Sequence, residues 1–353
     1  MSAQTLIHSI IQRIATGPEL SKNIELEEAS AAMSAILDGE IDDVQSAIFL
    51  IALRMKRETV EENFGILDAL LQATGCQQAD IEDLVDLGDP YSGYNRSIPI
   101  SAFLPPLLAE LGLPCIIHGL DGVTPKFGLT HKHVNQALGN KTELSVGEAK
   151  TQLEDNQKGW AYLDQSRYCA SLHALVPLRN KIVKRTVVNT VESLIGPIRA
   201  KYTHSILGFV HKPYPPIYAA LTARAGFDTS LVIRGVEGGV VPSLRQKGLM
   251  ISYVGEVERA RVEIDPKAMG IEQALRAIAF PRKMTTDSDK VALAEYTVTL
   301  GRAALSGEKG MFYDGLVYTA SLILWHLGKT IDLTCAADQV REVLDSARTL
   351  KRL

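Results

Sequence analysis

The stretch Leu84-Val85-Asp86-Leu87-Gly88-Asp89-Pro90-Tyr91-Ser92-Gly93-Tyr94-Asn95-Arg96 decides how this chain is read. Its apolar run ends at a glycine, which predicts a short strand. The glycine, proline and asparagine that follow make turns. Ser101 and a helical pattern from Ala102 complete the unit. The same texture recurs at Leu113 to Gly119, Ser205 to Val210 and Thr229 to Gly235, each followed by a helical pattern. Strand, glycine turn and helix in repetition predict an α/β fold with a mostly parallel sheet covered by helices. In such sheets ligands bind outside the carboxyl ends of the strands.

Upstream the texture differs. Leu26 to Leu37, Val44 to Leu53 and Val60 to Ala73 repeat apolar residues at helical spacing, so residues 1–75 are expected to form an all-helical domain. Between Leu144 and Val188 the pattern is again helical without clear strands, and a segment near 144–188 is expected to join that domain. Residues 76–353 are then the larger α/β domain. A charged, less regular stretch follows Ile251 to Val254 and runs to Asp289. Helices are expected near Lys290 to Leu305, Gly315 to Leu327 and Cys335 to Leu350.

Composition bounds the class. Over 353 residues, 46% are hydrophobic and 22% charged, which excludes disordered and fibrous chains. Cys76, Cys115, Cys169 and Cys335 stand far apart, against a disulfide framework or a thiolate zinc site. Met1 to Ile14 has helical apolar spacing rather than a basic start and an apolar run, so no secretory signal is expected. Gly315 to Gly328 is the best uncharged stretch, yet a spanning helix needs about 20 apolar residues. A cytoplasmic protein without a membrane partner is the expectation.

The net charge of -4 conceals an uneven distribution. Residues 1–75 carry 5 basic and 12 acidic side chains. Residues 167–212 carry Arg167, Arg179, Lys181, Lys184, Arg185, Arg199, Lys201 and Lys212 against Glu192 alone. A local positive field favours an anionic ligand: a phosphate, a pyrophosphate or a nucleic-acid backbone. A basic face paired with acids from elsewhere in the fold accounts for the same numbers.

Three loops can carry chemistry. In the first, after Gly88, main-chain NH groups and Arg96 can hold a phosphate, or the loop is an ordinary turn. The second, His118 to Gly128, offers Lys126 as a point charge for phosphate. His131 and His133 lie beyond it and diverge by about 200° on a helix, which makes them a poor metal pair. In the third, Arg234 to Ser243, three glycines from Gly235 to Gly239 allow close backbone approach. Glu237 is that loop's only carboxylate, able to hold Mg²⁺ through water or to pair with Arg234. Leu327-Gly328-Lys329-Thr330 mimics the end of a P-loop, but Ile323 stands where its first glycine belongs. No G-x-S-x-G elbow is present.

The order of these pieces resembles the anthranilate phosphoribosyltransferase family, also called glycosyltransferase family 3, whose relatives include the nucleoside phosphorylases. Glu27 to Asp68 looks like its amino-terminal helices. Ile117-His118-Gly119 and Ala137-Leu138-Gly139 sit where the family has its Lys-His-Gly-Asn-Arg loop and the following Leu-Gly. Leu175 to Arg179, Arg185-Thr186-Val187-Val188-Asn189-Thr190 and Gly196-Pro197 are similar to its arginine-bearing helix and its Arg-Thr-x-x-Asn and Gly-Pro signatures. The resemblance implies a homodimer and transfer of ribose 5-phosphate from phosphoribosyl pyrophosphate, with Mg²⁺ on the pyrophosphate.

Carried over by position, Gly88, Ser101, His118, Gly119 and Arg179 keep family residues that bind substrate, and Arg96, Lys126 and Gly235 join them from their loop positions. The family's Thr-Gly-Gly-Asp is replaced by Asp89, Pro90, Tyr91 and Ser92, its lysine by Ile117, and its Asp-Glu pair falls in the region of Gly239-Val240-Val241. The expectation is a phosphoribosyltransferase-type enzyme with an altered donor or acceptor site. The alternative is a non-catalytic relative that binds nucleic acid through Lys181, Lys184, Arg185, Arg199, Lys201 and Lys212.

Overall fold

The computed structural model describes residues 2–17 and 19–353. Its chain begins with four helices, α1 (Ala3–Ile14), α2 (Leu26–Leu37), α3 (Asp43–Lys56) and α4 (Val60–Gln72). Local chemistry fixes where they start. The Asp42 carboxylate accepts from the N–H groups of Val44 and Gln45, and Thr59 and Glu62 form a capping box. Glu62 also accepts from Lys56 Nζ at 2.6 Å and from the N–H of Ile24, which ties α3 and α4 to the preceding loop.

The strands among the described residues are β1 (Gln77–Gln78), β2 (Asp83–Gly88), β3 (Cys115–Gly119), β4 (Trp160–Asp164), β5 (Ile198–Arg199), β6 (Tyr202–Phe209), β7 (Thr229–Arg234), β8 (Gly248–Val254) and β9 (Val257–Ile264). The short β1 and β5 pair with each other. The main sheet has the order β4-β3-β2-β6-β7-β8-β9, parallel from β4 to β7 and antiparallel beyond. The sheet grows from β2 in one direction through β3 and β4 and in the other through β6. Successive connections leave opposite sides at this switch point, and the chain opens a crevice there.

Alternation along the strands divides the interior in two. Leu84, Ile116, Ala161, Leu163 and Leu207 face a core shared with α1 to α4. Leu144, Val146, Ala149, Leu153 and Leu172 enter the same core; the helix Val146–Glu154 lies against β4 and β1, and the helix Val176–Ile182 lies against α3. Val85, Leu87, Ile117, Tyr162 and Ile206 face the other core, built with helix Met311–His326. That helix is buried over most of its circumference, which explains its nearly uniform apolar sequence. The helices expected near Lys290 to Leu305 and from Cys335 are present as Lys290–Leu305 and Leu333–Asp345.

Two strands of the main sheet depart from the sequence expectation. β4 lies inside the stretch read as wholly helical, and β9 inside the one read as irregular. All five residues of β4 are buried, so it lacks the alternation that marks a half-exposed strand. β9 is an edge strand whose Glu258, Arg259, Arg261 and Glu263 dilute its apolar signal. No helix among the described residues is long and apolar enough to cross a membrane. All four cysteines are free.

Candidate functional site

Loops that leave the carboxyl ends of β2, β3, β6 and β7 gather above the switch point. Between them lies a cleft of about 230 Å³, lined by Gly88, Lys126, Arg185, Asn189, His211 and Tyr214 among others. Gly88 closes β2, where a Cβ would collide with the Leu207 side chain of β6. Its glycine is required for strand packing and also leaves the backbone open to the cleft. Lys126 donates to the Glu237 carbonyl at 2.8 Å and stands 3.5 Å from its carboxylate. Burial lowers the Lys126 pKa, offset in part by Glu237, and neighbouring Arg185 lowers it further. Asn189 donates to the Thr124 carbonyl at 3.1 Å, and its Oδ1 accepts from the N–H of Thr186 at 2.9 Å. It thereby joins the turn that carries Arg185 to the loop that carries Lys126.

The loop after Gly88 is closed upon itself. Asp89 is buried, and its carboxylate accepts from Ser101 Oγ at 2.5 Å, Tyr94 Oη at 2.7 Å and the N–H of Val240 at 2.8 Å. His131 Nε2 lies 3.1 Å from the same carboxylate. Burial alone would push the Asp89 carboxyl up. The bond and charge from His131, with the Ser101 and Tyr94 hydroxyls, outweigh it and hold the group below the ordinary carboxylate value. Burial first, and then the Asp89 charge, push the Tyr94 hydroxyl well up. Donors that a loop in this position can offer to a bound anion are therefore taken by a carboxylate of the protein itself.

A second internal network lies below β3. His118 Nε2 bonds Asp86 at 2.9 Å, and its Nδ1 contacts the Tyr91 hydroxyl, which lies 2.5 Å from that of Tyr168. All four groups are buried. Arg179 is fully buried, with Nη1 and Nη2 at 2.8 and 2.7 Å from the two carboxylate oxygens of Glu192.

Of the residues expected to hold substrate, Gly88, Arg96, Lys126 and Gly235 line open clefts. Ser101, His118, Gly119 and Arg179 are buried within the protein, and the polar side chains among them are bonded to other residues there. Arg96 and Gly235 belong to an adjoining cleft of about 420 Å³ that shares Lys126, Val210 and Glu237 with the first.

Glu237 does not fit the expected metal role. Its carboxylate accepts from the N–H groups of Asn95 and Arg96 and from Ser97 Oγ, at 3.2, 3.1 and 2.8 Å, with Lys126 beside it. These donors occupy the lone pairs a cation would need. No group of three or more His, Cys, Asp or Glu positioned to hold a metal occurs among the described residues.

The basic segment is not a single basic face. Lys201 pairs with Glu82 at 2.8 Å, and Lys181 stands 3.9 Å from Asp43. Arg199 bonds the carbonyls of Ile195 and Ala225 and lies over the Phe227 ring. Lys184, Arg185 and Lys212 are exposed. Arg185, His211 and Tyr214 line the first cleft beyond the substrate residues that the sequence predicts. The Arg-Thr-x-x-Asn signature flags Arg185 and Asn189, whereas nothing local singles out His211 or Tyr214.

An all-helical start followed by a mostly parallel sheet, with clefts above its switch point, defines a two-part α/β architecture. The chain belongs to the glycosyl transferase family, whose helical bundle domain matches residues 8–74 and whose a/b domain matches residues 92–350. The anthranilate phosphoribosyltransferase of Methanopyrus kandleri is 27% identical over 353 residues, covering 98% of this chain and 97% of that protein. An uncharacterized protein of Aquifex aeolicus is 29% identical over 309 residues, covering 87% of this chain and 89% of its own. Among solved structures, anthranilate phosphoribosyltransferase from Saccharomyces cerevisiae in complex with PRPP and Mg has a TM-score of 0.79 at 16% identity, covering 99% of this chain and 96% of that one. The enzyme from Thermus thermophilus has a TM-score of 0.71 at 21% identity, covering 98% and 96%. At these identities the two structures speak for the fold.

Proposed function

We propose that the protein is a phosphoribosyltransferase-type enzyme whose donor and acceptor sites differ from those of anthranilate phosphoribosyltransferase. The observation that carries this reading is the convergence of Lys126 and Arg185 on a cleft above the carboxyl ends of β2 and β6. Cations held at a switch point suit a ligand bearing phosphate. The yeast relative's complex with PRPP and Mg makes phosphoribosyl pyrophosphate the first ligand to test.

Catalysis of this kind rests on positioning and on neutralising charge as the leaving group departs. Lys126 and Arg185 would supply that neutralisation, and Asn189 would keep the two loops in register. The closed loop of Asp89 and Tyr94 supports an altered donor site, and the Arg179–Glu192 pair supports an altered acceptor site. Glu237 is engaged by other donors, so charge neutralisation falls to Lys126 and Arg185. The pairing of two chains implied by the family resemblance belongs to the same proposal, and sedimentation tests it.

Phosphoribosyl pyrophosphate at about a hundredfold above its Kd stabilises a folded protein by about 2.7 kcal/mol. The expected result is a clear rise in melting temperature that Arg185→Gln reduces. No rise at millimolar ligand, with the apo protein folded, refutes the reading.

A further inference from the structure

The end of the sheet opposite the clefts holds a set of titratable groups that the proposed function does not use. Asp83 opens β2, His204 and Thr229 stand near the starts of β6 and β7, Ser252 lies near the end of the antiparallel β8, and His326 closes the helix Met311–His326. Their side chains form one continuous chain of hydrogen bonds. Asp83 Oδ1 lies 3.0 Å from His204 Nε2, and His204 Nδ1 lies 2.9 Å from the Thr229 hydroxyl. That hydroxyl is 2.9 Å from His326 Nε2, and His326 Nδ1 is 2.8 Å from the Ser252 hydroxyl. Asp83 is partly exposed whereas His326 and Ser252 are buried, so the chain runs from the surface into the core.

Its direction is fixed at the outer end. The Asp83 carboxylate only accepts, and its other oxygen is taken by Lys329 Nζ at 2.8 Å, so His204 Nε2 carries the hydrogen. In a neutral His204 ring Nδ1 then accepts from the Thr229 hydroxyl. The Thr229 oxygen accepts from His326 Nε2, and His326 Nδ1 accepts from Ser252. Burial first, then His204 and Arg259, lower the His326 pKa to about 3, so this ring stays neutral and carries a single N–H.

A proton added to His204 reverses the chain. Its Nδ1 becomes a donor and takes the Thr229 oxygen as acceptor. The Thr229 hydroxyl bonds no other side chain among the described residues, so its proton has one place to go, a bare His326 Nε2. Leaving that proton unpaired in the interior costs the desolvation of the hydroxyl. His326 meets the demand by carrying its one proton on Nδ1 and donating it to the Ser252 oxygen. The ring loses a proton at Nε2 and gains one at Nδ1, exchanged with solvent during local opening, and its charge does not change.

We propose that these five residues form a tautomer relay, a pH-responsive device that carries proton uptake at His204 to Ser252 without charging His326. Facing His204 are Asp83 on β2, Lys329 after the helix Met311–His326, and His326 itself, with Arg259 of β9 beyond it. Asp228, just before β7, turns its carboxylate to the N–H of Thr203, and Glu82 and Lys201 at the same edge pair with each other. The relay ties four strands to the end of one helix and does not depend on the transfer activity proposed above.

Nuclear magnetic resonance of the full chain, labelled with nitrogen-15 at histidine, tests it, with His204→Gln and His326→Gln assigning the two rings. At high pH both rings should carry the hydrogen on Nε2. As His204 takes up its proton, the protonated and bare nitrogen signals of His326 should change places while that ring stays neutral. Thr229→Val removes the hydroxyl and keeps the branched shape, and His326 should then no longer follow His204. Ser252→Ala deletes a single oxygen, the last acceptor, and should suppress the change even where the valine variant fails to fold. Three results overturn the proposal. One is His204 with its hydrogen on Nδ1 alone at high pH, which gives the chain the opposite direction. Another is His326 keeping its Nε2 hydrogen throughout the titration of His204. The third is a change of tautomer that persists in either variant, which makes it a response to charge alone.

Discussion

Replacing Glu192 by glutamine tests whether Arg179 is a structural or a substrate-facing residue. The guanidinium is fully buried and divides its two terminal nitrogens between the carboxylate oxygens of Glu192, while its Nε has no partner. Gln165 and Asn189 also donate to that carboxylate, at 3.3 Å each. Glutamine keeps the volume but removes the counter-charge and turns an amide NH₂ toward N–H groups that need an acceptor. Breaking a buried pair from one side costs about 3–5 kcal/mol, since the remaining charge stays in a medium that solvates it poorly. Replacing both partners with apolar residues, Arg179→Met with Glu192→Leu, should recover most of that loss. Urea unfolding followed by circular dichroism reads the effect as a lower midpoint at unchanged slope. A loss under about 1 kcal/mol for Glu192→Gln would mean that Arg179 has somewhere else to go. The side chain would then be free to meet an acceptor, and the reasoning above would fail.

Two further outcomes are expected. At Gly235 a Cβ would overlap the Gly239 carbonyl oxygen, so Gly235→Ala should destabilise on the order of 3 kcal/mol by forcing the turn apart, seen as a lower melting temperature. Burial, with smaller contributions from His204 and Arg259, lowers the His326 pKa to about 3, while Thr229 and Ser252 hold its two nitrogens at 2.9 and 2.8 Å. An unfolded chain protonates this residue below about pH 6.5 and the folded one does not. Stability should rise with pH between about 3 and 6.5 and be flat above, and His326→Gln should flatten the rise; an unchanged slope in that variant would refute the assignment.

The fold was legible wherever periodicity met punctuation. Gly88, Gly119 and the glycine after Arg234 mark the ends of β2, β3 and β7, because a chain leaving a parallel strand has to turn at once. β4 escaped because complete burial removes alternation, and β9 because its Arg259, Arg261 and Glu263 face outward from an edge strand within a stretch rich in charge. The site was legible only in part. Gly88, Lys126, Arg96 and Gly235 stand on the loops the sequence marks, and these loops do reach the clefts. His118 and Ser101 occupy the positions their motif suggests, yet their side chains turn inward, since Asp86, Tyr91 and Asp89 supply partners that no local pattern reveals. The basic stretch 167–212 illustrates the same limit: Lys201 and Lys181 meet Glu82 and Asp43, and a count along the chain cannot see which acids fold back.

The closed loop at Asp89 bears on how such a protein can change. Tyr94, Ser101, His131 and the N–H of Val240 all converge on one carboxylate, and Tyr94 also occupies the space a side chain at Gly239 would need. Removing Asp89 alone strands several buried donors, and removing Tyr94 alone leaves a void beside a charge. Each single substitution in this network is therefore expected to give a less stable protein. The side chains around Asp89 are energetically coupled, so replacing them together should cost less than the sum of the single losses.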